Sequence, residues 1–150
     1  MIISRNIKIQ QDILKSLLKG EKVFYYVTND QELFVSNNEY LAYVMPEEDF
    51  KVSLNYNHQW PMFLRFADDY KKAPVLRETD VIVKKGEKQY QEFDGGNFEV
   101  YVDLKLFKLF GKGEFTYKCG GSKSAVYIEE NGELIGLVMP VRVKSLNGGE

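Results

Sequence analysis

The sequence predicts an α+β domain, with helices packed on antiparallel sheets, built from two similar units. Of the 150 residues, 14% are aromatic, and aromatic residues favour strands together with β-branched ones. Between residues 10 and 19 the apolar residues recur at helical spacing instead. The phrase Val-Met-Pro ends an apolar run twice, at residues 44–46 and 138–140. This repetition predicts an internal duplication, which would decide the whole architecture.

Length and composition indicate one domain over residues 1–150. The residues are 44% hydrophobic and 28% charged, as in ordinary globular proteins. The formal net charge of −2 excludes a uniformly basic protein, but it does not exclude a basic patch on one face. Cys119 is the only cysteine, which excludes an internal disulfide. Because no apolar run resembles a leader or reaches membrane-spanning length, we expect a cytoplasmic protein with no membrane partner.

The first unit, residues 7–46, reads as a strand, a helix and three strands. Residues 7–9 alternate like a short strand, and Gly20 is a suitable stop for the helix that follows. The apolar stripe of that helix consists of Ile13, Leu14, Leu17 and Leu18. Three strand-like runs come next, with turns between them, at residues 23–27, 33–35 and 40–45.

The second unit, residues 98–143, repeats this order. Residues 100–102 align with residues 7–9, and Lys112-Gly113-Glu114 is identical to Lys19-Gly20-Glu21. Leu106-Phe107-Lys108 aligns with Ile13-Leu14-Lys15, which predicts a helix there, and the strands are predicted at residues 115–118, 125–128 and from 133 onward.

The alignment of the two units needs one single-residue shift, at the Asn131-Gly132 turn, where an insertion costs little. Beyond it Glu133 matches Glu39. The alternative is a chance similarity between two amphipathic stretches. We favour duplication because the identities fall at the ends of elements, where turn and cap residues are specific.

The connecting segment, residues 47–97, predicts a strand, a short helix and a hairpin. Residues 52–56 alternate like a half-buried strand. A helix begins near Trp60-Pro61 and must end before Pro74. Its apolar face consists of Met62, Phe63 and Phe66. The hairpin covers residues 80–93, with its turn at Lys85-Gly86.

The residue inventory argues against catalysis. His58 is the only histidine, so neither a Ser-His-acid triad nor a multi-histidine metal site can form. The lone Cys119 is best explained as a small buried side chain. Gly111-Lys112-Gly113 lacks the spacing of a phosphate-binding loop. We therefore expect no enzyme, no metal and no cofactor.

Lysines are concentrated on the two predicted helices. Residues three or four apart share one face of a helix, and such a face can follow a phosphate backbone without reading bases. The alternative is an ordinary solvated face. A third hypothesis, a single-strand binder that stacks bases on strand tyrosines, needs exposed Tyr25, Tyr26 and Tyr117. The lysines in question are Lys15, Lys19, Lys105 and Lys108.

The apolar segment around Met139-Pro140 has two interpretations. Pro140 lacks an N–H and interrupts a strand ladder, so the segment could form one wall of a peptide-binding groove. Alternatively, it is a final core strand.

Residues 137–143 resemble the closing strand of the bacterial DNA polymerase sliding clamp, the β subunit, which typically ends in a similar Met-Pro-x-Arg phrase. Residues 98–102 look like the first strand of that family's last half-domain, and residues 103–110 look like its inner helix. Residues 125–128 look like the penultimate strand. The resemblance implies a DNA-clamp-like domain of two strand-helix-three-strand repeats, with both helices on one side of antiparallel sheets.

The family encircles duplex DNA in a ring of six such domains, whose outer sheets join edge to edge. The resemblance therefore implies a non-enzymatic protein of DNA replication or repair. Because one domain cannot close such a ring, it also implies either a homo-oligomer of six copies or a ring shared with other subunits. The helix lysines would face DNA, and replication or repair proteins would insert a peptide beside the closing strand. That groove would be bordered by Met139, Pro140, Val141 and Arg142.

The alternative is a stand-alone interaction module with the same fold and no DNA contact, as a phage or mobile element could encode. A chain with one domain, where bacterial clamps have three, leaves both hypotheses open.

Overall fold

The computed structural model describes residues 4–54 and 58–141 and confirms an α+β chain with antiparallel sheets. Helix α1 spans Arg5–Leu18 and helix α2 spans Phe63–Lys72, with short 3₁₀ helices at Glu47–Asp49 and Leu104–Phe110. No helix in this part of the chain is long and apolar enough to cross a membrane. The strands are β1 Phe24–Val27, β2 Glu32–Asn38, β3 Leu41–Pro46, β4 Arg77–Lys85, β5 Lys88–Asp94, β6 Glu99–Asp103, β7 Phe115–Lys118, β8 Val126–Glu130 and β9 Glu133–Val138.

The strands form a six-stranded sheet in the order β1-β2-β3-β9-β8-β7 and a three-stranded sheet in the order β4-β5-β6. In the larger sheet, Ala42 lies opposite Leu137 and Tyr43 lies opposite Gly136. The sequence alignment that superposes Val44 on Val138 equates Ala42 with Gly136 and Tyr43 with Leu137. A local two-fold axis between these pairs therefore exchanges aligned residues, and the duplication itself stays a prediction.

The larger sheet is covered on both faces. One face packs against α1, the 3₁₀ helix Leu104–Phe110 and the smaller sheet, through residues such as Ile13, Phe110 and Val102. The helical segments of both predicted units thus contact the same face. The other face packs against α2, whose Phe63 is buried over Phe34 at a ring distance of 5.7 Å.

The first unit begins with a helix rather than a strand. The prediction that residues 7–9 form a strand is wrong, because α1 starts at Arg5 with Ser4 as its cap, whose hydroxyl accepts a hydrogen bond from the Ile7 N–H. This longer helix buries Ile9 and Ile13 and leaves Leu14 and Leu18 exposed. The predicted stripe is therefore rotated from the buried one, because the first turns of α1 add Ile9 to the buried face.

The second unit keeps its leading strand but shortens its helix. Strand β6 occupies the predicted position and pairs with β5 in the smaller sheet. The predicted helix is the 3₁₀ helix Leu104–Phe110, capped by the Asp103 carboxylate. The two units therefore share their three-strand meanders and differ before them.

The connecting segment follows the prediction in its helix and hairpin and departs from it at one strand. Helix α2 and the hairpin β4–β5 are present, and Gly86 takes the positive φ of 63° that its turn requires. Residues 52–54 are not in a strand, and the rest of that predicted strand, Asn55 and Tyr56, lies outside the described residues.

Three strand edges are covered by other parts of the chain. The outer edge of β1 bridges to Gln59, and the Trp60 N–H donates to the Tyr25 carbonyl at 2.8 Å. The edge of β7 is bridged by Val75, and β6 is bridged by Val141. Such crossings use backbone groups that an edge strand would otherwise offer to another chain.

Candidate functional site

An apolar groove lies on the α2 face of the larger sheet. It encloses about 280 Å³, and its floor is formed by Ala42 and Leu137, on either side of the β3–β9 junction. The small side chain of Ala42 leaves the floor deep. The walls consist of Phe24, Trp60, Phe63, Phe66 and Met139.

The aromatic walls contact one another and hold their geometry. Trp60 lies 4.9 Å from Phe63 and 6.2 Å from Phe66, both in edge-on arrangements, and 6.3 Å from Phe24. Pairs of this kind contribute about 0.5–1.5 kcal/mol beyond the area they bury. Trp60 is also fixed through its backbone, which is hydrogen bonded to β1. The groove is therefore preformed.

Two of the wall residues are left half open to solvent. Phe24 is 39% exposed and Trp60 is 40% exposed, although each packs against other rings. Large apolar side chains that are exposed together in a concave surface are typical of binding sites. The groove therefore suits an apolar ligand or the apolar side chains of a partner.

One end of the groove has a polar rim, made by the β2–β3 turn. The Asn37 amide donates to the Asp12 carboxylate at 2.7 Å and to the Ser16 hydroxyl at 2.9 Å, which ties the turn to α1. The Ser36 hydroxyl lies 2.6 Å from the Leu41 carbonyl. Lys22 and Glu39 add one charge of each sign at this rim.

A second, polar hollow of about 620 Å³ lies at the other end of the sheet, beside the β8–β9 turn. The β8–β9 turn borders this hollow, as the β2–β3 turn borders the groove, and α1 adds Arg5 and Asn6 to its lining. Arg5 pairs there with both oxygens of Glu130, at 2.9 Å each. Burial and nearby Asp30 raise the pKa of Glu32 in this hollow.

Helix α2 makes the two hollows different. Its N-terminal end contributes Phe63 and Phe66 to the groove, and its C-terminal end contributes Tyr70 to the polar hollow. The two halves of the sheet are related by a local two-fold axis, but the two ends of α2 differ in sequence. The apolar character of the groove thus depends on the connecting segment.

A polar cluster lies between α2 and strands β7 and β8. Glu129 accepts hydrogen bonds from the Tyr70 hydroxyl and from Lys118 Nζ, the latter at 2.8 Å. Tyr127 donates to Asp69 at 2.7 Å. Although burial opposes ionisation of Glu129, the hydrogen bonds from Lys118 and Tyr70 hold its pKa below the ordinary value. Each carboxylate is thus engaged in holding α2 on the sheet.

Cys119 is buried, and His58 packs beside an aromatic ring. Burial raises the pKa of the Cys119 thiol, which keeps it protonated and a poor nucleophile. His58 contacts the Phe24 ring at 5.7 Å. Across residues 4–54 and 58–141, no three His, Cys, Asp or Glu side chains are grouped so that they could hold a metal ion.

The residues predicted for a peptide groove separate in the structure. Met139 lines the groove, while Pro140 and Val141 lie outside its lining. The Val141 N–H donates to the Tyr101 carbonyl at 2.8 Å, toward the smaller sheet. Arg142 lies outside the described residues.

The four lysines predicted to face DNA are all exposed, on two elements that contact each other. The contact is at the start of α1, where Arg5 Nε donates to the Phe110 carbonyl at 2.9 Å. Lys15 lies ten residues further along α1, about 15 Å from that end, and Lys19, the residue after α1, lies about 21 Å from it. The structure thus places the lysines on one side of the larger sheet without gathering them into a cluster.

The tyrosines considered for base stacking are at least partly buried. Tyr25 belongs to the core, and Tyr117 packs 4.7 Å from Phe93. A protein that stacks single-stranded bases on these tyrosines needs their rings exposed, and the rings of Tyr25 and Tyr117 are not.

Sequence reasoning did not find Phe24, Trp60 and Ala42 as site residues. A usable signal was the density of aromatic residues around Trp60-Pro61, which exceeds what one short amphipathic helix needs for its core face. No sequence pattern marks Ala42 as a groove residue, because it contributes only by having a small side chain on the groove floor.

Comparisons of the chain with models of known protein families, with curated proteins and with solved structures found no match.

Proposed function

We propose that this protein is a non-enzymatic interaction domain that binds an apolar peptide segment of a partner protein in the groove beneath Trp60. The observation that carries this proposal is the half-exposed pair Phe24 and Trp60 above the deep floor at Ala42. Burying such side chains on binding gains about 25 cal/mol for each Å² of apolar surface. Aromatic anchors of this kind supply most of the energy of protein interfaces.

A clamp-like fold remains part of the proposal. It is supported by the two meanders that meet at β3 and β9, by the helical segments of both units on one face, and by Met139 of the Met-Pro phrase in the groove. The covered edges of β1 and β7 favour the stand-alone module over the ring, because edge-to-edge growth of the larger sheet needs open edges there.

Groove binding can be tested with Trp60 as the reporter, since it is the only tryptophan. The probe is a synthetic peptide from a replication polymerase that binds bacterial sliding clamps. Binding should shift the Trp60 emission to shorter wavelength as the ring leaves water. Phe24→Ala should weaken the affinity by about tenfold or more, which corresponds to about 1.4 kcal/mol.

Leu64→Ala is the matched control. Leu64 lies on α2 with the same exposure as Trp60, 40%, but does not line the groove. Its replacement should change the affinity by less than about twofold. Equal effects of the two substitutions, or no change in Trp60 emission with the wild-type protein, would refute groove binding for this class of peptide.

A second candidate function is contact with duplex DNA. It is favoured by the exposure of all four helix lysines on one side of the larger sheet, and none of them takes part in an ion pair found among the described residues. Lysines that neutralise phosphates release counterions, so such binding weakens as salt rises.

Replacing Lys15, Lys19, Lys105 and Lys108 together with glutamate should abolish salt-dependent binding of a duplex oligonucleotide. The measurement is fluorescence anisotropy at 50 and 200 mM salt, where four phosphate contacts predict a wild-type slope of log affinity on log salt of about −3.6. A variant with four glutamates at other exposed lysines, including Lys72 and Lys123, controls for net charge. If the wild-type protein shows no salt-dependent binding, this second function is rejected.

A further inference from the structure

Strand β4 has the one sheet edge for which the described residues provide no cover. The edges of β1, β7 and β6 are each bridged by another segment of the chain, whereas no bridge is found on the outer side of β4. The strand is also the longest in the structure, with nine residues. An open edge of this length offers a row of backbone donors and acceptors to another strand.

The same edge exposes apolar surface. Val81 and Ile82 are each 47% exposed, next to each other in the middle of β4. Successive side chains of a strand point to opposite faces, so Val81 and Ile82 expose apolar surface on both faces of the sheet beside this edge. A partner strand that pairs with the edge would bond its backbone and pack side chains beside both residues.

The charge pattern of β4 is complementary to that of a second, antiparallel copy of the strand. Reading Glu78-Thr79-Asp80-Val81-Ile82-Val83-Lys84-Lys85, acids precede the apolar centre and bases follow it. If two copies pair antiparallel about Ile82, Asp80 of each copy lies opposite Lys84 of the other. Opposite charges across neighbouring strands stabilise the pair, and like charges would destabilise it. A two-fold interface requires this kind of self-complementarity.

A bulge in β4 limits how far the edge can pair. The register against β5 shifts between Glu78 and Ile82, and Gln91 fixes the bulge by donating to the Thr79 carbonyl at 2.6 Å. From Ile82 to Lys85 the pairing with β5 is regular again. A short pairing centred on Ile82 is therefore available, and the long Lys84 side chain can reach a carboxylate that the bulge displaces.

We propose that a second copy of this chain docks on β4, forming a two-fold dimer in which the strands run β6-β5-β4-β4-β5-β6 across both copies. A second copy is favoured over a foreign acidic strand because β4 carries its own acids in the matching positions. The surface is distinct from the groove, so the dimer leaves both grooves open.

Sedimentation equilibrium of the full chain over a range of concentrations tests the proposal. The wild-type protein should show concentration-dependent dimer formation, up to twice the mass of the chain. Asp80→Lys and Lys84→Asp should each weaken the dimer by about tenfold or more, because two symmetric attractions become repulsions. The double variant D80K/K84D should restore it, since each copy again carries both charges.

Two further variants separate pairing from general surface effects. Ile82→Lys should weaken the dimer, whereas Val75→Lys, at a residue 62% exposed on the covered β7 edge, should not. Far-UV circular dichroism checks that each variant is folded. A wild-type protein that stays monomeric up to millimolar concentration overturns the proposal, and so does a dimer that the charge swap fails to rescue.

Discussion

Replacing Gly136 with alanine should destabilise the protein by about 2–3 kcal/mol, a large effect for the addition of one methyl group. Gly136 lies in β9 opposite Tyr43, at the junction of the two meanders. A Cβ atom there would come within 2.3 Å of the Phe110 ring and 2.9 Å of the Ala42 carbonyl oxygen. The first contact is a rigid ring and the second is backbone, so neither can yield without displacing its neighbours.

The displacement would spread because Phe110 is the last residue of the 3₁₀ helix Leu104–Phe110 and is almost fully buried. Its ring covers the bare backbone of Gly136 and lies 5.6 Å from the Tyr43 ring. An aromatic ring over a strand glycine is a recognised way to compensate for the missing side chain. The 3₁₀ helix is therefore attached to the sheet at the point where alanine does not fit.

Urea denaturation of the wild-type protein and the variant measures the change in unfolding free energy. Gly120→Ala is the matched control, because a Cβ at Gly120 meets nothing closer than 3.8 Å, and it should change stability by less than about 0.5 kcal/mol. Phe110→Leu in the Gly136→Ala background should recover part of the loss, since the smaller side chain frees space. A Gly136→Ala variant as stable as the control would show that the ring relocates at no cost.

The strands could be predicted from the sequence because their signals are local. Asn131-Gly132 ends β8 and starts β9 with positive φ at both residues, which is the turn chemistry that this dipeptide predicts. Residues 7–9 show where local signals fail. Alternation over three residues fits a strand or one turn of a helix, and the structure selects the helix because Ile9 and Ile13 then share one buried face.

The groove could be predicted only in part, because it is made by tertiary packing. Met139 lines the apolar groove, and its role beside a partner peptide stays a prediction. Its partners come from β1 and from the segment before α2, which are more than 70 residues away. No periodicity links Phe24 and Trp60 to Met139. The hydrogen bond from Trp60 to Tyr25 brings two of these segments together, and sequence spacing does not encode that contact.

Acidification should destabilise the protein through Glu129, and Glu129→Gln should remove part of that sensitivity. The folded state holds the pKa of Glu129 below its ordinary value, despite burial, through the hydrogen bonds from Lys118 and Tyr70. The pKa of Glu130 is lowered too, by hydrogen bonds and charge from Arg5. A depressed pKa contributes stability that is present above the unfolded value, about 4.3, and is lost as the pH falls through the folded value.

At pH 7, Glu129→Gln should cost about 1–3 kcal/mol, the range for losing a hydrogen-bonded charge from a partly buried cluster. Lys118 would then remain beside the Tyr70 ring, 5.4 Å from its centre, without its carboxylate. Because the variant no longer has this carboxylate to protonate, its deficit relative to wild type should shrink as the pH falls below about 4.

Urea denaturation at pH 7 and at pH 3.5 distinguishes this linkage from a simple packing defect. Glu21→Gln, at an exposed position, is the control and should leave both values unchanged within about 0.5 kcal/mol. A deficit for Glu129→Gln that stays constant with pH would mean that the amide disturbs packing and that the charge of Glu129 contributes little. A deficit that closes with acid would show that ionised Glu129 helps to hold α2, and with it the wall of the groove, on the sheet.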